Sequence, residues 1–141
     1  MLTFDKKNKK ENSIYRPAAY ALIKKEGKIL ILKVGEIYAL PGGGIEEDEE
    51  PKDALKRELL EEIGYRGEIG ELFCRARAYF SSNRSGKNYF GDGYFYPVEL
   101  IEKIKEPIEI DHSMEWVEWK EAVNKLALAY QRHAVFEYMK R

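Results

Sequence analysis

The sequence predicts an α/β protein, a mixed β-sheet held between helices. Three observations predict it. Short β-compatible runs are interleaved with two zones of helical patterning. One run, Ile29-Leu30-Ile31-Leu32, is continuously apolar, as in a strand covered on both faces. The 141 residues show neither an internal repeat nor a low-complexity linker, which fits a single domain over 1–141.

The elements follow in order. Residues 1–13, with the basic stretch Lys6 to Lys10, are expected to form a flexible, solvated N-terminus. Ala19-Tyr20-Ala21 has the form of a signal cleavage site, but Glu11, Asn12, Arg16 and Pro17 interrupt any apolar run before it, so no signal peptide is expected. Residues 15–24 and 28–34 read as two strands joined at a Glu26-Gly27 turn, and 36–40 as a third short strand. Pro41-Gly42-Gly43-Gly44 reads as loop. Pro51 suits the first turn of a helix, residues 53–63 carry helical periodicity, and Gly64 is a natural stop. Residues 68–82 and 89–100 read as two long strands around the polar loop 81–88. A further strand is expected at 115–119, and helix over 121–128 and 130–140 with a break near Ala129.

Composition excludes several classes. The net charge of −1 provides no global field for nucleic acid, so none is expected as a partner. No apolar run approaches a membrane span. Cys74 is the only cysteine, which rules out an intrachain disulfide, argues against a thiolate zinc site and points to a reducing, cytoplasmic setting. His112 and His133 lie far apart, which disfavours a histidine-rich metal site.

Charge is balanced overall but segregated locally. An α-helix advances about 100° per residue. With Glu58 at zero, Glu62 falls about 40° to one side and Glu61 about 60° to the other. Leu55, Leu59 and Ile63 follow at about 60°, 100° and 140°, so the acidic arc borders the core stripe. Glu58 meets Glu61 and Glu62 at like-charge helical spacings, near a helix C-terminus that disfavours anions. A divalent cation relieves both problems, and clustered carboxylates are hard ligands suited to Mg²⁺ or Mn²⁺. A solvated acidic face is the plainer reading of three glutamates alone. The glycines just upstream shift the balance, because they let a phosphate approach the backbone closely.

These residues resemble the Nudix box. Gly43 is followed after five residues by Glu49, and after seven more by Arg57-Glu58-Leu59, Leu60, Glu61-Glu62, Ile63 and Gly64. Only the last position departs, where Tyr65 stands for an aliphatic residue that serves packing. The resemblance implies an α/β/α sandwich and hydrolysis of a nucleoside diphosphate linked to another moiety. It implies that Glu58, Glu61, Glu62 and the Gly43 carbonyl hold metal, with Glu62 the most direct ligand. It implies that one carboxylate, often the counterpart of Glu58, acts as base, and that Arg57 pairs with Glu49.

Outside the box, Asp111 and Glu115 are the preferred candidates for a further carboxylate, and His112 for a substrate contact or proton transfer. Substrate contacts are expected from Arg16, Arg75, Arg77, Tyr79, Glu115 and Gly42 to Gly44. Arg75 and Arg77 have period-2 spacing and share a face. The aromatics between Tyr79 and Tyr96 read mainly as core or interface, with one or two available to a base. They permit a homodimer. Trp116 and Trp119 read as packing. The leading function is a Mg²⁺- or Mn²⁺-dependent pyrophosphohydrolase of a small nucleotide, with a nucleoside triphosphate, including damaged ones, as default substrate. ADP-ribose, a dinucleoside polyphosphate or a nucleotide sugar remain alternatives, as do a catalytically silent nucleotide-binding domain and an RNA-end hydrolase.

Overall fold

The computed structural model describes residues 1–107 and 112–141. The strands are β1 (Leu2–Phe4), β2 (Ile14–Leu22), β3 (Lys24–Lys25), β4 (Lys28–Val34), β5 (Ile37–Ala39), β6 (Gly42–Gly44), β7 (Tyr65–Ile69), β8 (Cys74–Ser81), β9 (Asn88–Lys103) and β10 (His112–Glu118). The helices are α1 (Pro51–Glu62), α2 (Trp119–Lys125) and α3 (Ala129–Met139).

Strand periodicity sets the layers. Along β2 and the residue after it, Ala18, Tyr20 and Leu22 enter one core cluster while Ala19, Ala21 and Ile23 enter another. In β4, Ile29 and Ile31 join the first cluster, Leu30 and Leu32 the second. Both strands are therefore buried on two faces, as the apolar run in β4 predicts. The second cluster is closed by Leu55, Leu59 and Ile63 around α1, the first by Ala122 of α2 and by Tyr130, Ala134 and Val135 of α3. Helices thus cover both faces, an α/β/α sandwich. Each fully buried Leu or Ile contributes about 1.5–3 kcal/mol.

One sheet runs β1-β8-β9-β2-β6, with β7 also paired to β9, and the other runs β10-β4-β3, with β5 on β4. The parallel β2–β9 pair makes the first sheet mixed. The long β9 receives β8 along its first half and β7 along its second.

Four expectations are corrected. The N-terminus is ordered at its start: Leu2–Phe4 adds in parallel to the open edge of β8, and Phe4 packs on the core and meets the His133 ring at 5.2 Å. A 3-10 turn over Lys6–Asn8 follows. The run 68–82 is broken, because Gly70 turns to donate to the Pro97 carbonyl at 2.8 Å and Pro97 has no amide for that ladder. Residues 42–44 form an edge strand antiparallel to β2 and not a loop. Trp116 is 38% exposed, while Trp119 packs against the core as expected.

The edge strand needs glycine. Gly42 has φ +138°, and a Cβ there would stand 2.1 Å from the Ala19 carbonyl oxygen. Among the described residues, no helix is long and apolar enough to cross a membrane.

Candidate active site

Helix α1 presents its carboxylates to β6. Pro51 occupies its first turn, and Leu55 and Leu59 bury the inner face. That fixes the rotation of the acidic arc. The Glu58 and Glu61 side chains are 17% and 36% exposed, and Glu62, nearest the core stripe, is 10% exposed. The gradient follows the helical angles.

Partners hold each group. The Gly42 amide donates to Glu62 Oε1 at 2.8 Å. Arg57 donates through Nε and Nη2 to both oxygens of Glu49, each at 2.8 Å, and through Nη1 to Glu58 at 3.0 Å. Its Nη2 also reaches the Gly44 carbonyl at 3.1 Å, and Glu61 stands 3.6 Å from Nη1. Such a two-toothed guanidinium–carboxylate pair fixes orientation as well as distance. Gly43 lies against Glu58: a Cβ there would stand 2.8 Å from the Glu58 carboxyl carbon. Gly43→Ala should leave the fold intact, because Glu58 is a movable chain end. It should lower turnover by about 10–100-fold by displacing that carboxylate. Steady-state kinetics beside a thermal melt checks this, and unchanged turnover would remove Glu58 from the chemistry.

The hydrogen bonds from Arg57 and the Glu46 amide hold the Glu49 carboxyl down at about 2, against an ordinary 4.5, and Glu49 in turn raises Arg57. A depressed carboxylate stabilises the fold fully above its unfolded value and loses that contribution as pH falls through its folded value. Thermal melts of Glu49→Gln and the parent protein should therefore differ most above pH 4.5 and converge as pH falls toward about 2. A gap independent of pH would show that the pair does not titrate as a unit.

The donor set suits a divalent cation. Among the described residues, Arg57 pairs with three carboxylates, Glu49, Glu58 and Glu61, whose oxygens are hard donors. Among the described residues, no three metal-ligating side chains already converge; Glu58 and Glu62 are turned to Arg57 and the Gly42 amide.

The structure sorts the remaining candidates by face. His112 comes to the helix, with Nδ1 3.7 Å from Glu62 Oε2. Glu115 alternates onto the face of Val117, pairs with Ile31 and interacts with Lys125, so it belongs to the opposite layer. Asp111 lies outside the described residues. Arg16, paired across β2–β9 with Gly91, points to the α3 side and stands near Gly44 and 5.9 Å from the Tyr89 ring. Arg75, Arg77 and Tyr79 pair with Tyr94, Asp92 and Phe90 and point to the α1 side. The three arginines therefore do not form one cluster. Arg75 is engaged twice by the fully buried Asp92, at 3.0 and 2.7 Å, and Tyr79 stacks on Phe90 at 4.5 Å. A cavity of about 740 Å³ lies behind α1 between Lys56, Leu60, Tyr65 and Ile104, away from Glu58, Glu61 and Glu62.

The family model described as NUDIX domain matches residues 14–138. The chain belongs to the Nudix family. Among relatives, mouse diphosphoinositol polyphosphate phosphohydrolase 3-alpha is 31% identical over 104 residues, which is 74% of this chain and 60% of that protein. This Nudix chain thus spans less than two thirds of the length of that relative. The MutT protein of Methanosarcina mazei Go1 superposes with a TM-score of 0.68 at 24% identity, covering 93% of this chain and 97% of that one. The dihydroneopterin triphosphate pyrophosphohydrolase of E. coli superposes with a TM-score of 0.67 at 14% identity, covering 90% and 98%. Both structures share the Nudix fold. The Nudix box lies where α1 meets β6, and Tyr65, its one departure, packs beside the second core cluster.

Sequence reasoning missed two polar residues. Asp92 sits in an aromatic run where nothing marks it, and only strand pairing brings Arg75, Arg77 and Tyr15 to it. Gln131 is a polar residue within the expected C-terminal helix, and only the packing of that helix shows it to be 2% exposed.

Proposed function

We propose that this chain is a divalent-metal-dependent pyrophosphohydrolase acting on a small, strongly anionic substrate. One observation carries the reading: three carboxylates of α1 stand beside a glycine edge strand whose Gly42 amide and Gly44 carbonyl are tied to Glu62 and Arg57. Glu58, Glu61, Glu62 and the Gly43 carbonyl would hold the cation. When bound, Mg²⁺ or Mn²⁺ supplies charge neutralisation at the phosphate oxygens and acidifies water.

The chain's own groups do the rest. As water attacks one phosphorus of the anhydride, the bridging P–O bond breaks with the other phosphate as leaving group and Glu58 takes the water's proton, while Arg57 holds that carboxylate in place and Glu49 holds Arg57. The side-chain-free β6 lets phosphate oxygens approach the backbone. Arg16 makes no ion pair among the described residues and stands next to that strand, so it takes a phosphate oxygen. Tyr89 beside Arg16 offers a ring face to a base, which favours a nucleoside triphosphate. A second reading, a diphosphoinositol polyphosphate, is favoured by the name of the mouse relative.

The test is a panel of nucleoside triphosphates, ADP-ribose, dinucleoside polyphosphates, nucleotide sugars and diphosphoinositol polyphosphates, with Mg²⁺ or Mn²⁺ and product identification. Metal-dependent release of phosphate or pyrophosphate is expected from one class. Ligand-induced thermal shifts with no release from any would leave a silent binding domain and end the enzymatic reading.

A further inference from the structure

The glycine strand has little to hold it. It pairs with β2 on one side only, and three glycines supply no side-chain packing. Its ends are tied instead by side chains from helices on opposite faces of the sandwich. At the exit, Arg57 of α1 donates to the Gly44 carbonyl at 3.1 Å. At the entry, Gln131 Oε1 of α3 accepts the Leu40 amide at 2.8 Å, across 91 residues of sequence.

The entry tie is buried throughout. Gln131 is 2% exposed and Leu40 1%. A buried carboxamide is unfavourable unless it is hydrogen-bonded, and the Leu40 amide would be an orphan without it. The neighbouring contacts act on the same segment. The Ala127 amide donates to the Tyr38 carbonyl at 3.1 Å, and the Ala21 amide donates to the Pro41 carbonyl at 2.8 Å. Tyr130, next to Gln131, shares a 3.0 Å hydroxyl contact with Tyr20, which pairs with Gly42 across the ladder. Two residues beyond Leu40, the Gly42 amide holds Glu62.

We infer that Gln131 is a positioning residue of the active site: through Leu40 it fixes the Gly42 amide against the Glu62 carboxylate. It touches neither substrate nor metal. The inference rests on the proposed metal-dependent reaction for its effect on turnover, but the Gln131–Leu40–Gly42–Glu62 coupling is a property of the protein alone.

The test compares the parent protein with Gln131→Leu, which removes the acceptor at similar volume, and Gln131→Glu, which keeps an acceptor oxygen in either protonation state. Amide hydrogen exchange at Leu40 and Gly42, Mn²⁺ binding without substrate, and kcat and KM are read. The parent should protect both amides. Gln131→Leu should speed exchange at Leu40 and Gly42 with β9 unchanged, weaken Mn²⁺ binding by about tenfold, and lower kcat more than it raises KM. Gln131→Glu should restore Mn²⁺ binding. An unprotected Leu40 amide in the parent overturns the inference, as does Gln131→Leu with unchanged Gly42 exchange and Mn²⁺ affinity, or with all strands loosened alike. If Gln131→Leu does not fold, Gln131→Met takes its place, and failure of both assigns Gln131 to the core alone and overturns it. Absence of turnover on every substrate would count against the proposed function, while the exchange comparison would still decide the role of Gln131.

Discussion

Glu62→Gln is expected to lower turnover by about 10²–10⁴-fold while leaving the protein folded. A carboxamide keeps an oxygen for the Gly42 amide, which now bonds Glu62 Oε1 at 2.8 Å, so the link between α1 and β6 survives. What the substitution removes is one negative charge at the most buried position of the acidic arc. Without metal, relief of repulsion among Glu58, Glu61 and Glu62 should leave the helix slightly more stable. The measurement is kcat together with a thermal melt in chelator. Retained activity would strike Glu62 from the metal ligands, and a collapsed melt would show that its charge serves the fold.

The second large effect is on stability. Asp92 is fully buried, bound twice by Arg75, approached by Arg77 at 3.5 Å, and receives the Tyr15 hydroxyl. Burial works against its charged form, yet the hydrogen bonds from Arg75 and Tyr15 and the two guanidinium charges hold its carboxyl below the ordinary range. The same contact raises the Tyr15 hydroxyl. Its contribution is present above its unfolded value and is lost as pH falls through its lower folded value.

Asp92→Asn leaves two arginines without their anion. Breaking a buried pair typically costs about 3–5 kcal/mol. Arg75 and Arg77 are 33% and 34% exposed and can turn toward water, which places the expected loss near the lower end, about 3 kcal/mol. For a chain of this size that is roughly a 10 °C fall in Tm. Urea unfolding at neutral pH gives the free energy directly. A loss below about 1 kcal/mol would mean that the cluster behaves as a surface ion pair.

Much of the candidate site was legible because it is local. Glu58, Glu61 and Glu62 share a face by helical angle, and the core stripe of Leu55, Leu59 and Ile63 fixes which side of the arc is buried. The Arg57–Glu49 pair spans eight residues and belongs to one motif. The two-sided burial of β4 was written in its unbroken apolar run. The glycine strand was not legible, since Gly-Gly-Gly carries no periodicity and reads as loop until β2 lies beside it. The N-terminal strand was hidden for a similar reason: its three residues gain order only from the open edge of β8.

The arginines show where local reasoning stops. Period-2 spacing correctly placed Arg75 and Arg77 on one face, but the side taken by Arg16 depends on the β2–β9–β8 register, which pairs Arg16 with Gly91 and Arg77 with Asp92. The sequence by itself determined the family, the acidic arc and the helix that carries it, because side-chain spacing along one element is dictated by backbone geometry. The tertiary structure alone decided that Arg75 serves Asp92, that His112 and not Glu115 meets Glu62, and that Gln131 anchors the glycine strand. Those contacts join residues far apart in the chain, and strand register and helix docking, which bring them together, are set by burial of the whole core.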